Sequence, residues 1–163
     1  MSDQPITQFK TPTRLNYTIC SGEASASFLR HIKEGRIVGR RCSTTGRVYV
    51  PPRGPSPVTG LPMEEEVELV HSGVVTTFCV VNVPFEGQTM KIPYVAAAIL
   101  LDGADIALFH LVSDCEIADV RMGMRVKAVW KPKEEWGFTT ENILYFAPTG
   151  EPDAPLESYQ EHL

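Results

Sequence analysis

Two short runs constrain this chain more than anything else in it: Cys42-Ser43-Thr44-Thr45-Gly46 and Ser56-Pro57-Val58-Thr59-Gly60. Each has the outline of a metal-binding knuckle, C-x-x-C-G. Only Cys42 is a thiol. A tetrahedral structural zinc takes four ligands, usually from two such knuckles, and Ser or Thr hydroxyls are too weakly acidic to replace thiolates at neutral pH. The runs therefore read as a zinc frame without its metal, with Cys42, Thr45, Ser56 and Thr59 at the former ligand positions and no zinc expected. On spacing alone, two unrelated glycine-ended turns remain the plainer alternative, because Ser-Pro and Thr-Gly are ordinary turn dipeptides.

At 163 residues there is room for one domain plus tails, large enough to bury a core without staples. No apolar run approaches the roughly 20 residues a bilayer span requires. The opening Met1-Ser2-Asp3-Gln4-Pro5 lacks the basic and apolar regions of a signal peptide, so a cytoplasmic, membrane-free protein is expected. Cys20, Cys42, Cys79 and Cys115 form no C-x-x-C pair and read as reduced thiols, with Cys79 and Cys115 as small core residues. A net charge of -5 speaks against nucleic acid, whose nonspecific affinity comes from basic side chains displacing counterions. Arg36, Arg40, Arg41, Arg47 and Arg53 nevertheless cluster, as a local anion site or as ordinary surface pairs.

Along the chain, residues 1–24 read as a flexible arm. Ser25 could cap a short helix with Phe28, Leu29 and Ile32 on one face, closed by a left-handed Gly35. The alternating stretches Arg36–Arg40 and Arg47–Val50 flank the first knuckle as a hairpin would, and Pro51-Pro52-Arg53 stops the ladder. After Glu64-Glu65-Glu66, a long strand-like region runs from Val67 to Val83, with a bulge or turn at Ser72-Gly73. Tyr94–Leu101 and Ile106–Val112 surround Asp102-Gly103-Ala104-Asp105, a hairpin signal. Arg125–Trp130 and Phe138–Phe146 supply two more strands. The fold class is mainly β: a helix and degenerate ribbon hairpins over residues 25–63, a small OB-type barrel over 64–147, and a loose acidic tail over 148–163.

The order of these parts resembles the rubredoxin-like zinc-ribbon plus OB-fold family known as domain of unknown function thirty-five. The likeness rests on the helix ending in Lys33-Glu34-Gly35-Arg36, the two knuckles, Pro51-Pro52-Arg53 between them, the barrel, and Gly123-Met124-Arg125-Val126. The family pattern is C-x-x-C-G, a Pro-Pro-Arg element, then C-P-x-C-G, and the ten residues between Thr45 and Ser56 agree with its spacing. The resemblance implies a non-catalytic accessory subunit beside a thiolase-like, aldolase or hydratase enzyme acting on acyl-CoA thioesters, hence a hetero-oligomer. It also implies CoA or acyl-CoA shared with the partner, for which Arg41, Arg47 and Arg53 are candidate phosphate contacts, since guanidinium binds phosphate in bidentate fashion. A structural zinc can supply on the order of 10 kcal/mol of folding free energy, so a ribbon without one is expected to lean on the barrel, the helix or a second protein.

Two other classes compete. A single-stranded nucleic-acid-binding OB domain would stack bases on Tyr49, Phe78, Phe109, Trp130 or Tyr145. A stand-alone acyl-CoA hydratase or thioesterase would draw on Asp105, Asp114, Glu116 and His110, although no spacing singles out a pair. His31, His71 and His162 read as structural or exposed, and zinc held by Cys42 with His31 or His71 has no recognised spacing. The nucleophile elbow, the dinucleotide fingerprint and the P-loop are absent from the sequence.

Overall fold

The computed structural model describes residues 7–9, 11 and 15–163; the remainder of the expected N-terminal arm lies outside the described residues. Helix α1 spans Glu23–Lys33 and buries Ala24, Phe28 and Ile32, one residue per four along a single stripe. Its acidic first turn and basic last turn suit the helix dipole. The cap is Gly22 rather than Ser25, because burying Ala24 extends the helix back beyond the serine. Gly35 ends it with φ +76°, as its sequence position predicts.

Strands β1 (Ile37–Arg41) and β2 (Val48–Tyr49) form the expected hairpin around the first knuckle, with Arg40 opposite Tyr49. Strand β3 (Glu65–Leu69) pairs along the other side of β1, Ile37 opposite Leu69 and Arg41 opposite Glu65. The sequence reading assigns this stretch to the barrel. Opposite charges draw it to the ribbon instead: Arg41 Nε lies 2.9 Å from Glu65 Oε1, and Arg36 Nη2 2.8 Å from Glu68 Oε2. Such exposed pairs contribute little stability each, yet they help choose the partner strand.

The barrel closes in the order β4 (Ser72–Val81), β5 (Tyr94–Leu101), β6 (Leu108–Val112), β8 (Ile143–Pro148), β7 (Arg125–Trp130). Pairing is antiparallel except where β6 meets β8, Val112 opposite Phe146. This is a five-stranded OB barrel. The bulge falls between Val75 and Thr77, not at Ser72-Gly73. Gly73 sits where any Cβ would collide with the Leu100 carbonyl. Two strands begin later than expected, at Leu108 and Ile143, the latter after a 3-10 turn over Thr140–Asn142.

One apolar core runs through both parts, joining Phe28, Ile32 and Ile37 to Val75, Ile99 and Phe146. The ribbon therefore leans on the barrel. Cys79, expected inside, is exposed: β7 accompanies β4 only through Val74, and among the described residues no strand pairs with the outer half of β4 on that side. The tail, expected to be loose, packs down: Tyr159 is buried against Val74 and Leu100, Ala154 N donates to Gly123 O at 2.8 Å, and Arg121 forks onto Asp153.

Candidate functional site

The two knuckles are built alike. Cys42 N donates to Arg47 O at 2.8 Å and Gly46 N returns to Cys42 O at 2.8 Å; Ser56 N donates to Leu61 O at 2.7 Å and Gly60 N returns to Ser56 O at 2.9 Å. Gly46 and Gly60 both have φ +73°, the left-handed geometry that lets amides point inward. The turns face each other, with Cys42 Sγ donating to Ser56 Oγ at 3.2 Å. Ser56 Oγ also accepts from the Val58 and Thr59 amides, while Thr45 and Thr59 hydroxyls accept from Arg47 N and Leu61 N. The Ser56 hydroxyl, then the Thr45 hydroxyl and amide, hold the Cys42 thiol down at about 6. It is only 1% exposed, packed with Tyr49 and Met63.

The three candidate arginines do not converge. Arg41 is committed to Glu65 and to the Gly46 carbonyl, 3.1 Å away. Arg47 and Arg53 are exposed, and among the described residues neither forms an ion pair. Arg53 lines a cavity with Arg40 and the start of α1.

A second cavity, of about 610 Å³, opens on the barrel between the β4–β5 and β7–β8 loops. Its lining includes Met90, Tyr94, Phe109, His110, Lys131 and Glu141, the face on which OB barrels bind ligands. Phe109 is 82% exposed there. Burial pushes His110 below the usual histidine range, and its Nδ1 accepts from the Leu111 amide at 2.9 Å.

Other residues singled out from sequence are dispersed. Tyr49 is buried in the ribbon, Phe78 is exposed on β4 outside the cleft lining, Trp130 packs on His71 and Trp136, and Tyr145 lines a different cavity, leaving Phe109 alone among the five aromatics in the OB cleft. Asp105 clamps the ribbon: its Oδ2 accepts from Val48 N at 2.7 Å, and its own amide donates to Val48 O at 2.9 Å. No hydrogen bond joins Asp105, Asp114, Glu116 or His110 to another of that set among the described residues. Sequence reasoning missed Asn142, fully buried, which donates to the Ile32 and Gly137 carbonyls and ties the β7–β8 loop to the end of α1. Only a lone polar residue ahead of an apolar strand marked it. Among the described residues no helix is long and apolar enough to cross a membrane.

Residues 66–131 match the family described as the C-terminal OB-fold domain of ChsH2, and residues 31–56 the one described as its rubredoxin-like zinc ribbon domain. A DUF35 domain-containing scaffold protein from Methanocaldococcus jannaschii is 40% identical over 111 residues, 66% of this chain and 77% of that protein. A solved DUF35-family protein of unknown function from Sulfolobus solfataricus superposes with a TM-score of 0.57 at 21% identity, covering 78% of this chain and 85% of its own. A chain of the Ltp2-ChsH2(DUF35) aldolase superposes with a TM-score of 0.60 at 23% identity, covering 80% and 98%. Both structural likenesses show the fold. The ribbon match corrects one expectation from sequence: the segment that carries Cys42 falls within a zinc-ribbon family, which points to zinc where none was expected. The donors in place are one thiol and three hydroxyls. Among the described residues no three His, Cys, Asp or Glu side chains gather as a metal cluster, so this set does not reproduce a tetrathiolate centre.

Proposed function

Because this chain belongs to the DUF35 family, we propose that it is a non-catalytic accessory subunit that docks on a thiolase-like enzyme acting on acyl-CoA thioesters. The observation that carries the reading is the apolar surface around the OB cleft. Among the residues that line it, Phe109 on β6, Met90 on the β4–β5 segment and Leu144 on β8 are exposed. An open apolar cleft with large side chains turned outward is the kind of surface a partner covers. The acid-base residues are scattered, and Asp105 serves as a clamp. Relatives support the role: one is described as a scaffold protein, and ChsH2 appears with Ltp2 as an aldolase. Arg47 and Arg53, exposed beside the ribbon, are the proposed contacts for CoA phosphates, with Arg41 turned toward Glu65.

The test is capture from the native host with a tagged chain, followed by mass spectrometry. A thiolase-like subunit should co-elute in fixed stoichiometry with the wild type and be recovered several-fold less with Phe109→Ser, whose exposed position leaves folding intact. Recovery of no such subunit, or equal recovery with both chains, would count against docking through this face.

A further inference from the structure

We propose that the arm over residues 15–20 adds as an extra strand to the open outer half of β4 in a second copy of this chain, so that two copies exchange arms.

Both halves of that contact lie bare on one chain. The arm reads Leu15-Asn16-Tyr17-Thr18-Ile19-Cys20, apolar and polar residues in strict alternation, which is the period of a strand with one face to bury. Yet it belongs to no helix or strand, and all six of its residues are exposed, Leu15 at 75% and Tyr17 and Ile19 at 73% each. Among the described residues its backbone makes no hydrogen bond to the rest of the fold.

The other half is β4. Its first residues, Ser72, Gly73 and Val74, pair with β7, but over residues 77–81 the ladder to β5 is the only one among the described residues. Thr77, Phe78 and Cys79 are all exposed, although successive side chains of a strand point to opposite faces, so neither face is covered at this end. Beyond that ladder, the stretch makes one hydrogen bond among the described residues, from Asn82 Nδ2 to Val80 O at 3.3 Å, at the long limit for an amide donor. An open row of amides and carbonyls is a template for another strand, and proteins usually guard it with Lys, other charges or Pro. Residues 72–83 contain none of these.

The two halves match. Six residues of arm extend over roughly 20 Å as a strand, enough to run the length of the open stretch. Phe78 and Val80 share one face of β4, and Val80 packs against the barrel core, so Leu15, Tyr17 and Ile19 laid alongside would extend that apolar face. Main-chain bonds then supply affinity and the alternate side chains supply register. Charge selects a second copy as the occupant: residues 15–22 and 72–83 are both uncharged in a chain of net charge -5, so like chains can meet there without repulsion. Within one chain neither half covers the other, since both are exposed. Reciprocal exchange covers both edges at once and closes as a two-fold dimer.

The open half of β4 is not part of the OB cleft lining, so this contact and docking on an enzyme can fail independently. Sedimentation velocity on the full chain at about 50 µM, a concentration that favours association, should give a dimer. Tyr17→Asp on the arm and Phe78→Lys on the edge place charges at exposed positions; each should be monomeric with an unchanged circular dichroism spectrum. Mixed in equal amounts, the two variants supply one intact edge and one intact arm, and a dimer should return. Phe109→Ser, in the cleft, should leave the wild-type dimer unaltered. A monomeric wild type, a dimer that survives either Tyr17→Asp or Phe78→Lys, a mixture that stays monomeric, or a dimer lost with Phe109→Ser would overturn the proposal.

Discussion

Asp105 shows how far one side chain's role can lie from its appearance in sequence. As a carboxylate near a histidine-bearing strand it looked like acid-base material. In the fold it exchanges two hydrogen bonds with Val48, fastening the ribbon hairpin to the barrel across 57 positions of sequence. Contacts of that range follow from tertiary packing, which no local pattern encodes. Replacing Asp105 with Ala leaves the Val48 amide without its acceptor and should destabilise the chain by about 1–3 kcal/mol, read from urea denaturation, with Asp105→Asn recovering part of the loss. An unchanged midpoint for Asp105→Ala would mean that the ribbon does not depend on this clamp. The knuckle residues were far more legible. Gly46 and Gly60 take the same left-handed turn because residue type and spacing demand it, and Cys42 meets Ser56. The zinc-ribbon frame was legible at these positions as well; the expectation of no zinc drawn from their hydroxyls is what the zinc-ribbon match over residues 31–56 overturned.

Helix α1 and the OB strands were readable from periodicity, since one buried face leaves its mark on every third or fourth residue in a helix and every second in a strand. Strand β3 was not. Its glutamates give no sign of a partner until Arg36, just before β1, and Arg41 at its end are placed beside them. The tail misled in the same way, for its prolines and acids conceal one anchoring residue, Tyr159. At the junction of α1 and β1, Gly35 has φ +76°, and a Cβ there would lie 2.5 Å from the Trp136 ring. Gly35→Ala should therefore lower stability by about 1–3 kcal/mol, combining backbone strain with a clash against a rigid ring. A melting temperature within error of wild type would show that this junction yields more readily than its packing suggests.

Taken whole, the molecule is a closed barrel and a helix-backed ribbon on one continuous core, with Met90, Phe109 and Leu144 exposed in the OB cleft. Rigid parts with an uncovered apolar face suit a subunit that positions another protein. The acidic net charge of -5 disfavours polyanions such as nucleic acid. Reconstitution tests the account most directly. Acyl-CoA turnover is measured for the purified chain, for the thiolase-like subunit recovered with it, and for the two combined. The account predicts no turnover by the chain alone, activity residing in the partner, and a several-fold rise when the two are joined; turnover by the isolated chain, or a partner indifferent to its addition, would contradict it.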